Sequence, residues 1–266
     1  MAIQSFIPHP LLIPGYAQTM FAAIWPHAAR VEPSSTEWVT LRDGDQLRLD
    51  IDFPTHDDPQ TPLVVLLHGT GGSGDDSLIV RQAQKLRQLG FTAVRFHHRG
   101  CGPGSDGRVT GIYHAGRLMD LVDTLDHLNA RWPGRACLLV GYSFSGNMIL
   151  RLLGDVQNYQ VKNVSAALAV CPPIELEMAA RALSSRRNRL IDSFLTLRFS
   201  RQAKRVEARK EPSLRRTVPR VFRAWELDEL YTAKMAGFKS RAEYYRVCSS
   251  KKFLAILTVP APILAA

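Results

Sequence analysis

The sequence contains no run of eighteen consecutive apolar residues, and Pro8, Pro10 and Pro14 interrupt its N-terminal apolar stretch, which no basic segment precedes. These absences argue against a membrane-spanning helix and a secretory signal. Only four cysteines occur, and none forms a C-x-x-C pair. Cys137 and Cys171 lie in or beside apolar runs, so we predict buried free thiols rather than disulfides or metal ligands. We therefore expect a soluble, cytoplasmic protein.

Acidic residues are scarce in one basic segment. The chain has 266 residues, 45% of them apolar, and a formal net charge of +10. Residues 181–223 hold fourteen Lys and Arg against three Asp and Glu, so the excess positive charge belongs to this segment. No nucleic-acid-binding motif accompanies it, and we expect no nucleic acid partner. Solvated helices are the simpler interpretation, and peripheral contact with an anionic membrane is the alternative.

Apolar runs of strand length alternate with amphipathic segments of helical spacing between residues 37 and 170. The predicted strands are 37–41, 46–52, 62–67, 91–97, 136–140 and 164–170, and the predicted helices are about 76–89, 115–131 and 145–153. The turn at Asp43 and Gly44 favours an antiparallel hairpin for the first two strands. The later strands are uniformly apolar, which is typical of a parallel sheet covered on both faces by helices. We therefore predict an α/β fold.

Two segments depart from this alternation within what we predict to be one domain over residues 1–266. Residues 1–33 form an irregular, proline-containing N-terminal arm in this interpretation. Residues 174–250 form a helical, basic insertion, after which strand-like runs return at 254–257 and 259–264. A helical insertion between sheet strands is typical of a lid that shapes a pocket and excludes water. Some of these helices are also suited simply to cover the sheet.

A serine lies at a predicted strand-to-helix turn, in Gly141-Tyr142-Ser143-Phe144-Ser145. A sharp turn of this kind holds the serine hydroxyl clear of the backbone and directs the following amide toward whatever the serine attacks. Ser143 is therefore a candidate nucleophile for acyl transfer. Ser145 occupies the position of the second glycine in G-x-S-x-G, a departure that weakens the motif. A plain strand–turn–helix junction is the alternative.

A glycine-rich loop follows the apolar strand 62–67, in the order His68-Gly69-Thr70-Gly71-Gly72-Ser73-Gly74. Its spacing does not match G-x-G-x-x-G, and it lacks the lysine of a phosphate-binding P-loop. In serine hydrolases of this fold, a loop at this point donates one oxyanion amide and the residue after the nucleophile donates the other. We predict that the backbone N–H groups of Thr70 and Phe144 form this oxyanion hole.

The carboxyl ends of parallel strands meet at one edge of a sheet, where ligands bind. Thr70, Arg99, Ser143 and Pro172 all follow predicted strands, and we expect them to converge on one cleft. Asp120 and Asp123 lie on an amphipathic helix, and we interpret them as surface or capping residues.

Several segments in the same order along the chain resemble the α/β-hydrolase superfamily. Within it, the chain is most similar to the YheT-like branch, which is related to the abhydrolase-domain acylglycerol lipases. The matching segments are Gly15–Thr19, Asp43–Asp45, His68–Gly69, Arg99–Gly102, Tyr113–Gly116 with Asp120, Gly141–Ser143, Leu227–Thr232, Gly237–Phe238, Tyr244–Arg246 and Ser249–Ser250.

The resemblance implies a serine hydrolase that cleaves carboxylic esters with lipid-like or medium-chain acyl groups, and it implies no metal or organic cofactor. We expect His68, Gly69, Arg99 and Tyr142 to contact the substrate. A non-catalytic binding protein that associates with anionic membranes is the main alternative. A thioesterase, amidase or lyase on the same fold is another.

The triad order on this fold is serine, acid, histidine, and the resemblance places the last two members beyond Ala266. We therefore expect this chain to lack both, as a fragment, a truncated reading frame or an inactive protein. Four histidines lie near the predicted cleft: His68, His97, His98 and His114. We expect none of them to replace the missing base, and we predict that His68 orders the glycine-rich loop.

Overall fold

The computed structural model describes residues 10, 15, 17, 18, 21, 31–105 and 107–265. The predicted N-terminal arm over residues 1–33 therefore lies mostly outside the described residues. The pattern of residue contacts divides the chain into two units, and the second, which begins at Val31, contains the sheet.

In the described part of the chain, seven strands form one sheet in the order β1-β2-β4-β3-β5-β6-β7. The strands are β1 Ser35–Thr40, β2 Gln46–Asp52, β3 Leu63–Leu67, β4 Ala93–Phe96, β5 Cys137–Tyr142, β6 Val164–Val170 and β7 Ile263–Leu264. β2 pairs antiparallel with β1 and β4. The pairs from β4 through β3, β5 and β6 to β7 are parallel. The predicted α/β architecture with an antiparallel start is confirmed.

The helices alternate with the strands up to β6, as predicted, and the later helices all lie between β6 and β7. They are α1 Ser77–Gln88, α2 Met119–Arg131, α3 Phe144–Gly154, α4 Leu176–Leu183, α5 Arg189–Arg209, α6 Ala224–Leu227, α7 Ala233–Met235 and α8 Arg241–Cys248. A π-helical segment, Asp228–Thr232, joins α6 to α7. Short 3₁₀ helices occur at Arg186–Asn188, Pro212–Leu214 and Lys251–Ile256. No helix among the described residues has both the length and the apolar composition to cross a membrane.

Strand β3 shows why the sheet needs helices on both sides. Its five residues are all buried. Leu63, Val65 and Leu67 pack in one apolar cluster with α2 and α3, whereas Val64 and Leu66 pack in a second cluster with α1. Because successive side chains of a strand point to opposite faces, an uninterrupted apolar run requires two apolar layers.

Two predicted elements differ from the structure. The strand-like run at 254–257 belongs instead to a 3₁₀ helix, Lys251–Ile256. Phe253 in this helix packs so closely on α3 that a Cβ on Gly154 would come within 2.6 Å of it, so packing decides the conformation. Helix α2 begins at Met119, four residues later than predicted, because the preceding residues form a turn closed by the Arg117 N–H and the His114 carbonyl.

Candidate active site

Ser143 lies on a sharp turn between β5 and α3. Its backbone has φ 49° and ψ −116°, a conformation that side-chain-bearing residues adopt only under strain. Its N–H donates to the carbonyl of Val170 at 2.8 Å, which fixes the turn to the end of β6. The residue is exposed, and no described residue hydrogen-bonds its hydroxyl. The predicted placement of Ser143 is therefore what the structure has.

Glycines permit the close contacts of this turn. A Cβ on Gly141 would lie 2.8 Å from the Gly146 nitrogen and 2.6 Å from Cδ1 of Ile149. A Cβ on Gly146 would lie 3.1 Å from the Gly141 carbonyl oxygen. Backbone atoms at these distances cannot move aside, so the turn requires glycine at position 141 and strongly favours it at 146.

Ser145 is fully buried and holds the turn to the neighbouring strand end. Its hydroxyl donates to the carbonyl of His68 at 2.5 Å, and His98 Nε2 lies 2.7 Å from it. The sequence-based view that this serine only weakens the motif is thus incomplete. Its hydroxyl supplies two buried hydrogen bonds that a glycine lacks, and they link the serine turn to the glycine-rich loop.

The glycine-rich loop lies directly against Ser143. A Cβ on Gly69 would come within 3.4 Å of the Ser143 Cβ. The Gly71 N–H donates to the hydroxyl of Tyr113 at 2.6 Å. The N–H groups of Thr70 and Phe144, by contrast, have no acceptor among the described residues. We call residues 68–74 and 141–146 the cavity floor.

Helix α5, from the basic segment, packs onto this loop. Gln202 donates through Nε2 to the carbonyls of Gly71 at 3.3 Å and Gly72 at 2.7 Å. Arg198 pairs with Asp76 at 3.0 Å, and a Cβ on Gly71 would lie 2.8 Å from the Arg198 Cβ. Local sequence patterns do not predict these contacts, because they join positions about 130 residues apart.

A cavity of about 700 Å³ opens above Ser143. Thr70, Ser143 and Phe144 line it from the floor, and Pro172 from the end of β6. Helices α4 to α8, which we call the cavity roof (residues 176–248), supply most of the remaining wall. Their lining residues are Leu176, Ala179, Ala180, Ala182, Leu183, Asn188, Leu195, Thr196, Phe199, Ala224, Leu227, Asp228, Thr232, Tyr244 and Tyr245. The wall is mainly apolar, as the walls of small-molecule sites generally are.

Arg99 does not join this cavity, contrary to the predicted convergence. It is buried and forms a bidentate pair with Asp120 at 2.8 Å, and it also contacts Asp45 and Asp43. Burial alone would lower the pKa of Arg99, but these carboxylates raise it above its ordinary value. Asp120 is accordingly an ion-pair partner in the interior and not a surface residue. Asp123 pairs with Arg42 at 2.6 Å.

The other predicted substrate contacts also lie outside the described cavity lining. His68 is buried. Tyr142 packs against the apolar cluster that β3 forms with α1. Gly69 supports Ser143 from below. Among the predicted site residues, the structure brings Thr70, Ser143, Phe144 and Pro172 to one cavity. The residues His68, Gly69, Arg99 and Tyr142 do not belong to its lining.

Each of the four nearby histidines already has a structural partner. His68 contacts the Gly69 carbonyl through Nδ1 at 2.8 Å and accepts the His98 N–H through Nε2, and burial lowers its pKa to about 4. His97 lies 2.9 Å from Asp50 and accepts the Gly74 N–H. His114 lines the cavity and accepts the Gly116 N–H through Nδ1, and burial, followed by nearby arginines, lowers its pKa to about 3.

None of the four histidines hydrogen-bonds to the Ser143 hydroxyl in the part of the chain that the structure describes. A general base needs a free nitrogen within hydrogen-bonding reach of the hydroxyl. Burial also lowers the pKa of His98 well below its ordinary value, and its Nε2 is committed to Ser145. The loop-ordering role predicted for His68 agrees with its hydrogen bonds.

One group in the described residues has metal-ligand spacing. Atoms of Asp50, Asp75 and His97 lie within 4.8 Å of one another. Arg48 already pairs with Asp50 at 2.8 Å and Arg95 with Asp75 at 3.3 Å. These arginines neutralise the carboxylates, so the group is a satisfied ion-pair network that supports the sheet.

Cys171, at the end of β6, differs from its prediction. It is exposed and lines the cavity, with φ 48°, because the strand turns away from the sheet at this residue. Cys101, Cys137 and Cys248 are buried, and all four thiols are free.

Sequence comparison gives a family match over most of the chain. The Alpha/beta hydrolase family model matches residues 64–264. YheT of Escherichia coli (strain K12) is 28% identical over 266 residues, covering 97% of this chain and 76% of that protein. Medium-chain fatty acid ethyl ester synthase/esterase 2 of Saccharomyces cerevisiae is 29% identical over 226 residues. That alignment covers 75% of this chain and 49% of the yeast protein, so the chain spans about half of that relative.

Comparison with solved structures supports the same fold. Est1E from Butyrivibrio proteoclasticus, solved with ferulic acid bound, aligns with a TM-score of 0.54 at 17% identity. The alignment covers 85% of this chain and 77% of that one.

Proposed function

The chain belongs to the alpha/beta hydrolase family, and on that premise we propose that it is a serine hydrolase that cleaves carboxylic esters through an acyl-Ser143 intermediate. The observation that carries the proposal is the strained, exposed Ser143 at the base of an apolar cavity. A strained conformation on a rigid turn is costly to the fold by about 1–3 kcal/mol. Such a cost is typical of positions that serve function.

The proposed reaction follows from the floor geometry. The Ser143 hydroxyl attacks the ester carbonyl carbon, and its proton passes to a base. The N–H groups of Thr70 and Phe144, which lack acceptors of their own, donate to the oxygen that becomes negative. The carbonyl reforms as the bond to the alcohol oxygen breaks, and the base returns the proton to that oxygen. Water then gives a proton to the base and attacks the acyl carbon, the bond to Ser143 breaks, the serine oxygen regains a proton, and the carboxylic acid leaves.

The apolar roof supports an ester with a hydrocarbon acyl group. Leu176, Leu183, Leu195, Phe199 and Leu227 all line the cavity, and a wall of this kind favours alkyl chains over charged groups. We therefore propose short- or medium-chain esters or acylglycerol-like lipids as substrates. The yeast relative's name refers to medium-chain fatty acid ethyl esters, which agrees with this class.

Covalent labelling tests the nucleophile directly. We expect a fluorophosphonate to modify the 266-residue chain at Ser143, slowly on its own and faster as imidazole is added to act as an external base. Peptide mass spectrometry identifies the modified residue. Ser143→Ala should abolish the label. Ser145→Ala is the matched control, because it removes the neighbouring buried hydroxyl and should leave a label on Ser143.

A label on Ser145, or no label on Ser143 at any imidazole concentration, would contradict the assignment. Ester turnover gives a second measurement. Removing a member of a serine–histidine–acid triad lowers turnover on the order of 10⁴-fold. Because no described residue hydrogen-bonds to the Ser143 hydroxyl, hydrolysis of a p-nitrophenyl ester should be weak without imidazole. Rapid turnover without it would show that a described group acts as the base.

A second proposal, contact with anionic membranes, is favoured by the surface beside the roof. Arg186, Arg187 and Arg189 are exposed, and the adjacent Leu190 is 64% exposed. A cluster of cations next to an exposed apolar side chain suits a surface of anionic headgroups.

Liposome co-sedimentation tests this proposal. Charge reversal to Glu at Arg186, Arg187 and Arg189 should abolish binding to phosphatidylserine vesicles, whereas Ser143→Ala should bind like the parent chain. Equal sedimentation with neutral vesicles would contradict an electrostatic contact.

A further inference from the structure

The roof contains a polar site within its otherwise apolar wall. Asp228 and Thr232 both line the cavity, one at each end of the π-helical segment Asp228–Thr232. The wider turn of a π helix re-aims side chains relative to a regular helix, and such turns are frequent at functional sites. α6 on one side and α7 on the other are ordinary α-helix.

The hydroxyl of Thr232 lies beside the Asp228 carboxyl without a hydrogen bond of ordinary geometry. Thr232 is 2% exposed, and its Oγ1 is a buried polar atom without a hydrogen bond among the described residues. The Thr232 hydroxyl is close enough to the Asp228 carboxyl to interact with its charged form, an interaction that acts to lower the pKa of that carboxyl. Burial of a hydroxyl without a well-formed hydrogen bond is unfavourable. A ligand that offers a hydrogen-bond acceptor to the Thr232 hydroxyl would remove this unfavourable contribution.

Asp228 retains capacity to accept hydrogen bonds. The Tyr245 hydroxyl donates to its Oδ2 at 2.7 Å, and a carboxylate offers about four lone-pair sites. Burial raises the pKa of Asp228 to about 6, although Tyr245 acts in the opposite direction. A carboxyl group in an apolar wall is thus positioned to gain from a donor that enters the cavity.

We propose that Asp228 and Thr232 recognise an aliphatic hydroxyl group on the ester bound at Ser143. A hydroxyl both donates and accepts, so it can donate to the Asp228 carboxylate while it accepts from Thr232. An ammonium group satisfies only the first contact, because it cannot accept from Thr232, and the nearby Arg241 disfavours a second cation. The inference rests on the proposed function, since it concerns the same cavity.

Binding measurements on Ser143→Ala, which cannot form the acyl intermediate, test recognition apart from turnover. Calorimetry would compare methyl decanoate, which has no hydroxyl, with 2-hydroxyethyl decanoate and methyl 10-hydroxydecanoate. The second ligand carries the hydroxyl on the alcohol side and the third on the acyl side. We expect one of these two to bind roughly tenfold more tightly than methyl decanoate, and which one does so identifies the side of the ester that faces the roof.

Two variants separate recognition from a structural role. Asp228→Leu, similar in volume but without an acceptor, should reduce the preference to less than twofold. Tyr245→Phe removes the neighbouring hydroxyl but keeps the carboxylate, so the preference should persist. Loss of the preference in both variants, or equal binding of all three esters by the parent protein, overturns the proposal.

Fluorophosphonate labelling keeps this result distinct from the proposed function. The labelling is measured on the parent chain, because the probe carries no hydroxyl and reports on Ser143 alone. Labelling without any hydroxyl preference overturns the hydroxyl site and leaves the serine hydrolase intact. A hydroxyl preference without labelling supports the site and contradicts the nucleophile.

Discussion

The floor and the roof of the cavity are built by opposite means. The floor consists of strand ends whose backbones approach so closely that only glycine fits at position 141, and its polar atoms are tied together by Ser145, His68 and His98. The roof consists of helices whose side chains leave a cavity of about 700 Å³. At Thr232 it also leaves a buried hydroxyl without a hydrogen bond of ordinary geometry. A rigid floor suits bond chemistry, which tolerates little displacement. A roof of side chains around open space is suited to selecting the substrate.

The largest effect on this comparison is expected from Gly141→Ala in the floor. The added Cβ would meet backbone atoms at 2.8 Å, and backbone cannot rotate out of the way. We expect a loss of roughly 3 kcal/mol or more in the free energy of unfolding, measured by urea denaturation, together with loss of Ser143 labelling.

Gly107→Ala is the matched control, because no atom lies within 4 Å of its added Cβ. It should change stability by less than about 0.5 kcal/mol. Equal stability of Gly141→Ala and the parent protein would show that the floor is more adaptable than its geometry implies.

The pH dependence of stability should distinguish the roof from the floor. Burial raises the folded-state pKa of Asp228 to about 6, above the value near 4 in an unfolded chain. The fold therefore favours the protonated carboxyl. Its stabilising contribution to the free energy of unfolding is present below about pH 4 and is lost as the pH rises through 6. The groups around it include Tyr245, Thr232, Arg241 and Asp192.

The floor should respond with the opposite sign. Burial lowers the pKa of His68 to about 4, so the fold favours the neutral imidazole. The stabilising contribution of His68 to the free energy of unfolding is present above about pH 6.5 and is lost as the pH falls through 4. Asp228→Asn removes the carboxyl whose protonation stabilises the roof at acid pH and so offsets the effect of His68. We expect acid destabilisation between pH 6 and pH 4 to be steeper than in the parent protein, by up to about 3 kcal/mol.

Urea denaturation at several pH values measures this difference, with the exposed Asp126→Asn as the control that should leave the profile unchanged. Parallel profiles for Asp228→Asn and the parent chain would show that the Asp228 carboxyl is not destabilised in its charged form.

A smaller effect is expected from Ser145→Ala, which removes the link between the two strand ends of the floor. The variant leaves the His68 carbonyl without its donor and His98 Nε2 without its partner. Unsatisfied buried groups of this kind cost about 1–3 kcal/mol, so we expect a loss of about 2 kcal/mol in thermal or urea unfolding. The exposed Ser165→Ala, which gives up only a 3.4 Å contact, should be nearly neutral.

The sequence was a better guide to the floor than to the roof, for physical reasons. Strand periodicity and the glycine pattern around Ser143 are local, and they correctly placed Thr70, Ser143 and Phe144 at one edge of the sheet. Arg99 was misplaced, because its burial depends on Asp45 and Asp120, 54 and 21 residues away in the chain. Gln202 and Thr232 were missed as well. A helical pattern shows which residues are apolar, but not which loop or cavity a polar residue will face.

The smallest effect concerns the strain of the nucleophile turn itself. At φ 49° and ψ −116°, a side chain with a Cβ is strained. Glycine relieves this strain but loses more conformational entropy on folding than alanine does. We expect the relief to exceed the entropy loss, so Ser143→Gly should be more stable than Ser143→Ala by about 1 kcal/mol. At Ser145, in the first turn of α3, the order should reverse, because a helical position favours alanine over glycine by up to about 1 kcal/mol. Thermal unfolding of the four variants measures both differences. If the stability difference between glycine and alanine has opposite signs at the two positions, the backbone is strained at position 143 and unstrained at position 145. If alanine is the more stable at both positions, the turn is unstrained, and the argument from strain to nucleophile loses its support.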